Sequence, residues 1–371
     1  MSWMPRLPPR LGRIAAVARV EVLRLLRDRT SLSLILVVPA LQMVLFGYAV
    51  NLDPHNITLA IARERPAAHA SDDWLGRSIA TSSYFKVVGD GLGAGQAARR
   101  VADGAALLGI EWTGATATAA PGLRIVADAS DPSAVRPALL ALQSAVTRGA
   151  GEALLGAAAP RVVVQWLYNP GQRNAWAIAP GLAGVVVMIT MLMLGALTLV
   201  REREQGSWTG LLATPVTALD ALLGKLTPYL LLGVLQAVAV IAVAHGLLQL
   251  PLRGSLGALL GITLLLAAAH LALGFALSAM AENQLQAMQG AVFFYLPSML
   301  LSGFMFPFEG MPRWAQRIGE LLPLTHFVRA ARGVLLRGEG AREVAAEMWP
   351  MALFALVAGA LAILCYQRRL D

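Results

Sequence analysis

Apolar residues in this chain are gathered into long, nearly charge-free blocks, and that feature restricts its fold more than any other. The first block, Ser31 to Val50 (SLSLILVVPALQMVLFGYAV), holds 20 residues without a charge. A helix of about 20 residues, rising about 1.5 Å at each, crosses the roughly 30 Å of hydrocarbon in a bilayer. Comparable blocks lie at about Trp176 to Val200, Ala221 to Leu248, Leu256 to Met280, Ala287 to Phe306 and Met348 to Tyr366. Only 14% of the residues are charged and 57% are hydrophobic, whereas soluble domains are about a quarter charged. The expected architecture is an α-helical polytopic membrane protein with six transmembrane helices.

Charge placement orients it. Before the first block stand Arg6, Arg10, Arg13, Arg19, Arg24, Arg27 and Arg29 against Glu21 and Asp28, an excess of seven minus two, or five. Basic residues flanking a span mark its cytoplasmic side. Residues 1–30 read as a cytoplasmic arm, with Val17, Val20, Leu23 and Leu26 on one face of an amphipathic interfacial helix. Without interleaved aromatic residues, and with an apolar span directly behind it, this arm does not read as a nucleic-acid site. Six crossings place both termini on one side, and Arg201, Arg203, Lys225, Arg368 and Arg369 fall on that same side. The localisation expected is the inner (cytoplasmic) membrane with cytoplasmic termini.

Between the first two spans, residues 51–175 have the composition of a soluble protein and are too long for a plain loop. The runs ITLAIA (57–62), FKVVG (85–89), AALLGIEW (105–112), LRIVAD (123–128) and VVVQWLY (162–168) read as strands. Helices are expected at about 72–81, 94–102 and 132–155, the last opened by Asp131 and Pro132. An inserted extracytoplasmic mixed α/β domain follows. Residues 176–371 then carry the second to sixth spans, with a cytoplasmic segment at 201–216 and an extracytoplasmic connector at 307–347. The apolar, Pro-containing start of that connector is expected to enter the membrane region.

Catalytic patterns are missing from the sequence. Around Gly224-Lys225 a phosphate-binding loop needs Gly where Leu219 stands and Ser or Thr where Leu226 stands. Five histidines lack metal-ligand spacing, and Cys365, as the single cysteine, excludes an intrachain disulfide. His245 and His270 fall inside spans, where bonding to a neighbouring helix is the expected role. The segment REREQGSWTGLLATPV (201–216) reads either as a docking knob or as an interfacial turn. A charged helix end is followed by a Gly break, then Trp208, Leu211 and Leu212, and a Thr-Pro stop.

Three stretches resemble the membrane subunits of ABC exporters of the type-2 permease class, in the group with a large periplasmic domain after the first helix. They are LRDRTSLSLILVVPALQMVLFGYAV (26–50), REREQGSWTGLLATPV, and 282–338, from ENQLQAMQG to ARGVLLRG. The resemblance implies that residues 201–216 form the coupling segment that meets an ATP-binding subunit, with contacts from Glu202, Glu204, Gly206, Leu211, Leu212 and Pro215. The chain departs from the family's frequent acidic residue at Thr209. By the same resemblance the chain binds no cofactor itself, ATP and Mg being held by the partner subunit. A second permease copy, identical or paralogous, completes the pathway, with a periplasmic membrane-fusion adaptor as a further partner. Met191, Met193, Met288, Phe293, Phe294, Tyr295 and Met299 are the residues expected along a path for drugs or lipids. The competing expectation is a membrane-anchored extracytoplasmic binding or sensing module without transport.

Overall fold

A computed structural model describes residues 57–63, 74–80, 84–113, 122–153, 161–171, 173–204, 206 and 218–367. The expected first span and basic arm lie outside the described residues, as do Leu211, Leu212 and Pro215.

All five apolar runs form strands: β1 (Ile57–Arg63), β2 (Phe85–Leu92), β3 (Leu108–Thr113), β4 (Gly122–Asp128) and β5 (Arg161–Leu167). Helices α1 (Trp74–Ala80), α2 (Gln96–Ala102) and α3 (Pro132–Ala153) fall between them. The strands make one mixed sheet in the order β2-β1-β3-β4-β5, antiparallel only between β3 and β4. Side chains alternate between faces along a strand, so each strand serves two cores. Ile57, Leu59 and Ile61 pack with Ile79 of α1 and Val135, Leu139 and Leu142 of α3. Ala60 and Ala62 pack with Ala97 and Val101 of α2 on the other face. The small residues there let α2 come close: a Cβ on Gly109 would lie 2.9 Å from the Ala97 carbonyl oxygen.

Beyond Tyr168 the described residues form helices: α4 (Asn174–Glu204), α5 (Ala218–Leu248), α6 (Leu256–Met280), α7 (Gln284–Leu301), α8 (Arg313–Gly319), α9 (Pro323–Arg332) and α10 (Ala341–Gln367). Four of them, α4, α5, α6 and α10, contain stretches long and apolar enough to cross a membrane. They match the second, third, fourth and sixth expected spans. Burial ranks them: 61% of the most apolar stretch of α4 and 56% of that of α6 lie inside the structure, against 22% for α5 and 17% for α10. The α4/α6 pair is therefore the centre of the bundle. There, Gly195 faces Gly274, and a Cβ on Gly274 would sit 2.5 Å from the Leu192 carbonyl oxygen. Glycine is needed at this crossing because the two backbones touch.

The fifth expected span differs. Its helix, α7, has 18 residues and extends about 27 Å at about 1.5 Å per residue. It stops at Leu301 instead of Phe306 because Gly303 turns the chain in the left-handed region (φ 76°). The following SGFMFPFEG then folds back, so that Leu300, Leu301, Met311, Ala315 and Leu322 share a core with Phe308. The connector enters the bundle through α9, whose Phe327 fills the space that Gly184 of α4 leaves open. A five-residue π-turn, Gly333–Arg337, continues α9 and ends at Gly338 (φ 86°).

Candidate functional site

The end of α4 is the part of the expected coupling segment that the structure describes. Arg201 and Glu204 are exposed, Glu202 and Arg203 half-buried, and Gly206 closes the helix with φ 72°, its N–H donating to the Arg203 carbonyl at 3.2 Å. Left-handed glycine is the usual residue just past a helix C-terminus. Two neighbouring charges reach across to other helices. Arg203 Nη2 donates to the carbonyls of Ser278 (2.8 Å) and Ala281 (2.7 Å), at the C-terminal end of α6. The Glu204 carboxylate accepts from the backbone N–H of Gln284 (2.9 Å), the first residue of α7, and from the Gln284 side-chain amide. One turn earlier, Ser278 Oγ accepts from the N–H groups of Leu199 and Val200, each at 3.0 Å. Of the residues expected to meet a partner here, the structure thus brings Glu202, Glu204 and Gly206 to one helix end.

The residues expected along a path are dispersed. Met191 is fully buried in the central core, beside Gly233 of α5. Met193 packs beside Phe294 and Tyr295, and the Tyr295 hydroxyl donates to the Met299 sulfur at 3.3 Å. Met288 and Phe293 lie on the exposed side of α7. Four of the seven (Met193, Phe294, Tyr295 and Met299) thus cluster where α4 and α7 meet. The span histidines bond differently from expectation. His245 Nδ1 donates to the Leu250 carbonyl (2.7 Å) and His270 Nδ1 to the Leu266 carbonyl (2.9 Å). Among the described residues each Nδ1 bonds backbone in its own segment, the carbonyls lying five and four residues away. His270 Nε2 has no partner among the described residues and lies near the rings of Phe294 and Phe354.

A polar cluster on the connector escaped the sequence reading. Arg332 pairs with Asp131 of the sheet unit at 2.6 Å, with side chains only 10% and 16% exposed. Arg337 lies 3.8 Å from Asp128 and 2.8 Å from Glu339. Burial pushes the Asp128 carboxyl above its ordinary pKa, an effect only partly offset by the Ser130 hydrogen bonds and Arg337. On the neighbouring face of α9, Arg329 grips Glu320 at 2.6 Å and stacks over the Phe308 ring at 4.5 Å. His326 bridges the Glu347 carboxylate of α10 and the Glu320 carbonyl. Burial alone would lower the His326 pKa, but these two hydrogen bonds and the nearby carboxylates raise it above the ordinary value. The signal in the sequence was the spacing of Arg329, Arg332 and Arg337 in an otherwise apolar stretch, which puts cations where only paired ones are tolerated. Next to this cluster the sheet joins α4 through Tyr168 (φ 66°) and Asn169, whose amide bonds both the N–H and the carbonyl of Arg173 at 3.0 Å. The Tyr168 hydroxyl donates to the Ala102 carbonyl at 2.8 Å. The sheet is thus fastened to the helices by charge pairs and a tight turn.

Comparison with known proteins bears on the whole chain. Residues 29–364 match the family described as ABC-2 family transporter protein. The probable multidrug ABC transporter permease YbhR of Escherichia coli K12 is 28% identical over 367 residues, covering 96% of this chain and 99% of its own length. The probable multidrug ABC transporter permease YbhS of the same organism is 27% identical over 343 residues, covering 88% and 89%. The inner membrane transport permease YhhJ of E. coli K12 is 32% identical over 196 residues, about half of each chain.

Proposed function

The chain belongs to the ABC-2 family of transporter proteins, and from that premise we propose that it is half of the membrane pathway of an exporter driven by a separate ATP-binding subunit. It is a permease subunit and not an enzyme; its relatives over nearly full length are permeases. In this reading it resides in the inner membrane with six spans and cytoplasmic termini, residues 51–175 facing the outside. A second copy or a paralogue completes the pathway, and a periplasmic adaptor meets the outer domain. The cargo class is hydrophobic or amphiphilic compounds, drugs or lipids, in line with the multidrug names of YbhR and YbhS.

The observation that carries the coupling role is the end of α4. It presents Glu202 and Arg201 beyond a bundle whose central pair, α4 and α6, is locked by backbone contact at Gly195 and Gly274. A push delivered to the end of α4 at residues 201–204 therefore reaches the middle of the bundle through continuous helix. ATP-driven closure of the nucleotide subunits then rocks the helices as rigid bodies, while the bonds are broken on the partner, which holds ATP and Mg.

Co-purification tests the reading. The parent chain is expected to hold its ATP-binding subunit through detergent extraction. A variant combining Glu202→Arg, Leu211→Ser and Leu212→Ser is expected to lose it while remaining folded by size exclusion. Equal retention by parent and variant, or no retention by either, overturns the coupling role.

A further inference from the structure

Resting on the coupling role of residues 201–216, we propose that Arg203 and Glu204 are positioning residues that clasp two helix ends and make α7 move as one body with the end of α4. The signs fit. A helix carries partial negative charge at its C-terminus and partial positive charge at its N-terminus. Arg203 meets the free carbonyls of Ser278 and Ala281 that finish α6, and Glu204 meets the first N–H of α7 at Gln284. Two adjacent residues of opposite charge thus each find the helix end of complementary charge. The turn between α6 and α7, residues 281–283, is held between them.

The clasp is backed by a rigid mount. Ser278 ties α6 to the N–H groups of Leu199 and Val200, and Asn283 caps α7 by accepting from the Gln286 N–H at 2.8 Å. The Glu282 N–H, one residue before the cap, donates in turn to Gln286 Oε1 at 2.5 Å, which ties the turn to the first turn of α7. A displacement of residues 201–206 cannot leave α7 behind without breaking charge-assisted bonds, which are the stronger kind. This matters because α7 carries Met288, Phe293, Phe294, Tyr295 and Met299, five of the seven expected path residues. Glu204, although exposed, accordingly serves as a mechanical link to the start of α7.

The test uses the full complex with its ATP-binding subunit, in a Cys365→Ser background. Spin labels at Arg201→Cys and Leu285→Cys, both exposed positions, are diluted with unlabelled chain. In the parent the distance between the labels is expected to stay the same between the nucleotide-free and the vanadate-trapped states. In the double variant Glu204→Ala, Gln284→Leu the distance should change on trapping, and broaden, with the ATP-binding subunit still bound. The milder Glu204→Gln keeps the acceptor but loses the charge, and is expected to weaken the coupling between trapping and α7 movement about fivefold. A parent distance that changes on trapping overturns the clasp, and so does a double variant that behaves as the parent. Failure of the underlying coupling role looks different: the ATP-binding subunit is then retained by the chain altered at Glu202, Leu211 and Leu212.

Discussion

Substituting Gly274 by alanine tests the central packing directly. The new Cβ would lie 2.5 Å from the Leu192 carbonyl oxygen and 2.8 Å from both Ala196 N and Gly195 Cα. Ordinary contact begins at 3.4 Å, so α4 and α6 must part by about 3.4 minus 2.5, or 0.9 Å. All three obstacles are backbone atoms, which cannot swing aside. Overpacking of this kind costs about 1–3 kcal/mol. The same shift would stretch the 3.0 Å bonds from Ser278 Oγ to Leu199 and Val200 to about 3.9 Å, past bonding range, for roughly a further 0.6–1 kcal/mol. Alanine's better helix propensity returns about 1 kcal/mol. The net expectation is a loss of about 1–3 kcal/mol, seen as a lower midpoint in thermal unfolding of the detergent-purified protein. Gly359→Ala on α10 is the control: nothing lies within 4 Å of its added Cβ, so only the propensity gain of about 1 kcal/mol remains. Equal midpoints for the two variants would refute the claim that backbone contact holds α4 and α6 together.

The charge pairs joining the sheet to the connector give a second expectation: Asp131→Ala strands the buried Arg332 guanidinium and should cost about 3 kcal/mol, whereas Asp131→Leu with Arg332→Met should recover most of it. Thermal midpoints of the three proteins decide this, and additive losses would count against the pairing. For His326 the folded pKa is raised, so its stabilising contribution is complete below the unfolded value of about 6.5 and is lost as pH climbs through the folded value. Stability should therefore fall from mildly acidic toward alkaline pH, and His326→Gln should flatten that slope in a pH series of unfolding midpoints. Asn169→Ala removes both bonds to the Arg173 backbone and should cost about 2 kcal/mol. Hydrogen exchange at residues 169–176 should rise with it, and unchanged protection there would contradict the turn's fastening role.

Much of the architecture was legible in one dimension because local runs of apolar residues dominate it. Short apolar runs marked all five strands of the sheet to within three residues at either end, and charge-free length marked α4, α5, α6 and α10. The α7 end was misjudged because hydropathy continues through SGFMFPF while the left-handed turn at Gly303 does not. Hydropathy reports the surroundings of a residue and is blind to a change of chain direction. The candidate site was half legible. The charged helix end at 201–204 was visible as a pattern, but the partners of Arg203 and Glu204, 75 to 80 residues later, were not.

What the sequence determined by itself is class and family: long apolar helices able to cross a membrane, a strand-bearing insertion expected at 51–175, and the ABC-2 type of permease. These depend on sums over many residues or on local order, which a linear pattern carries. Tertiary structure alone decided that Gly195 meets Gly274, that Arg332 and Arg337 reach Asp131 and Asp128, and that neighbouring charges on α4 hold the ends of α6 and α7. Each of these depends on two distant segments arriving within a few ångströms, and close approach is set by packing in three dimensions, which no local pattern of residues encodes.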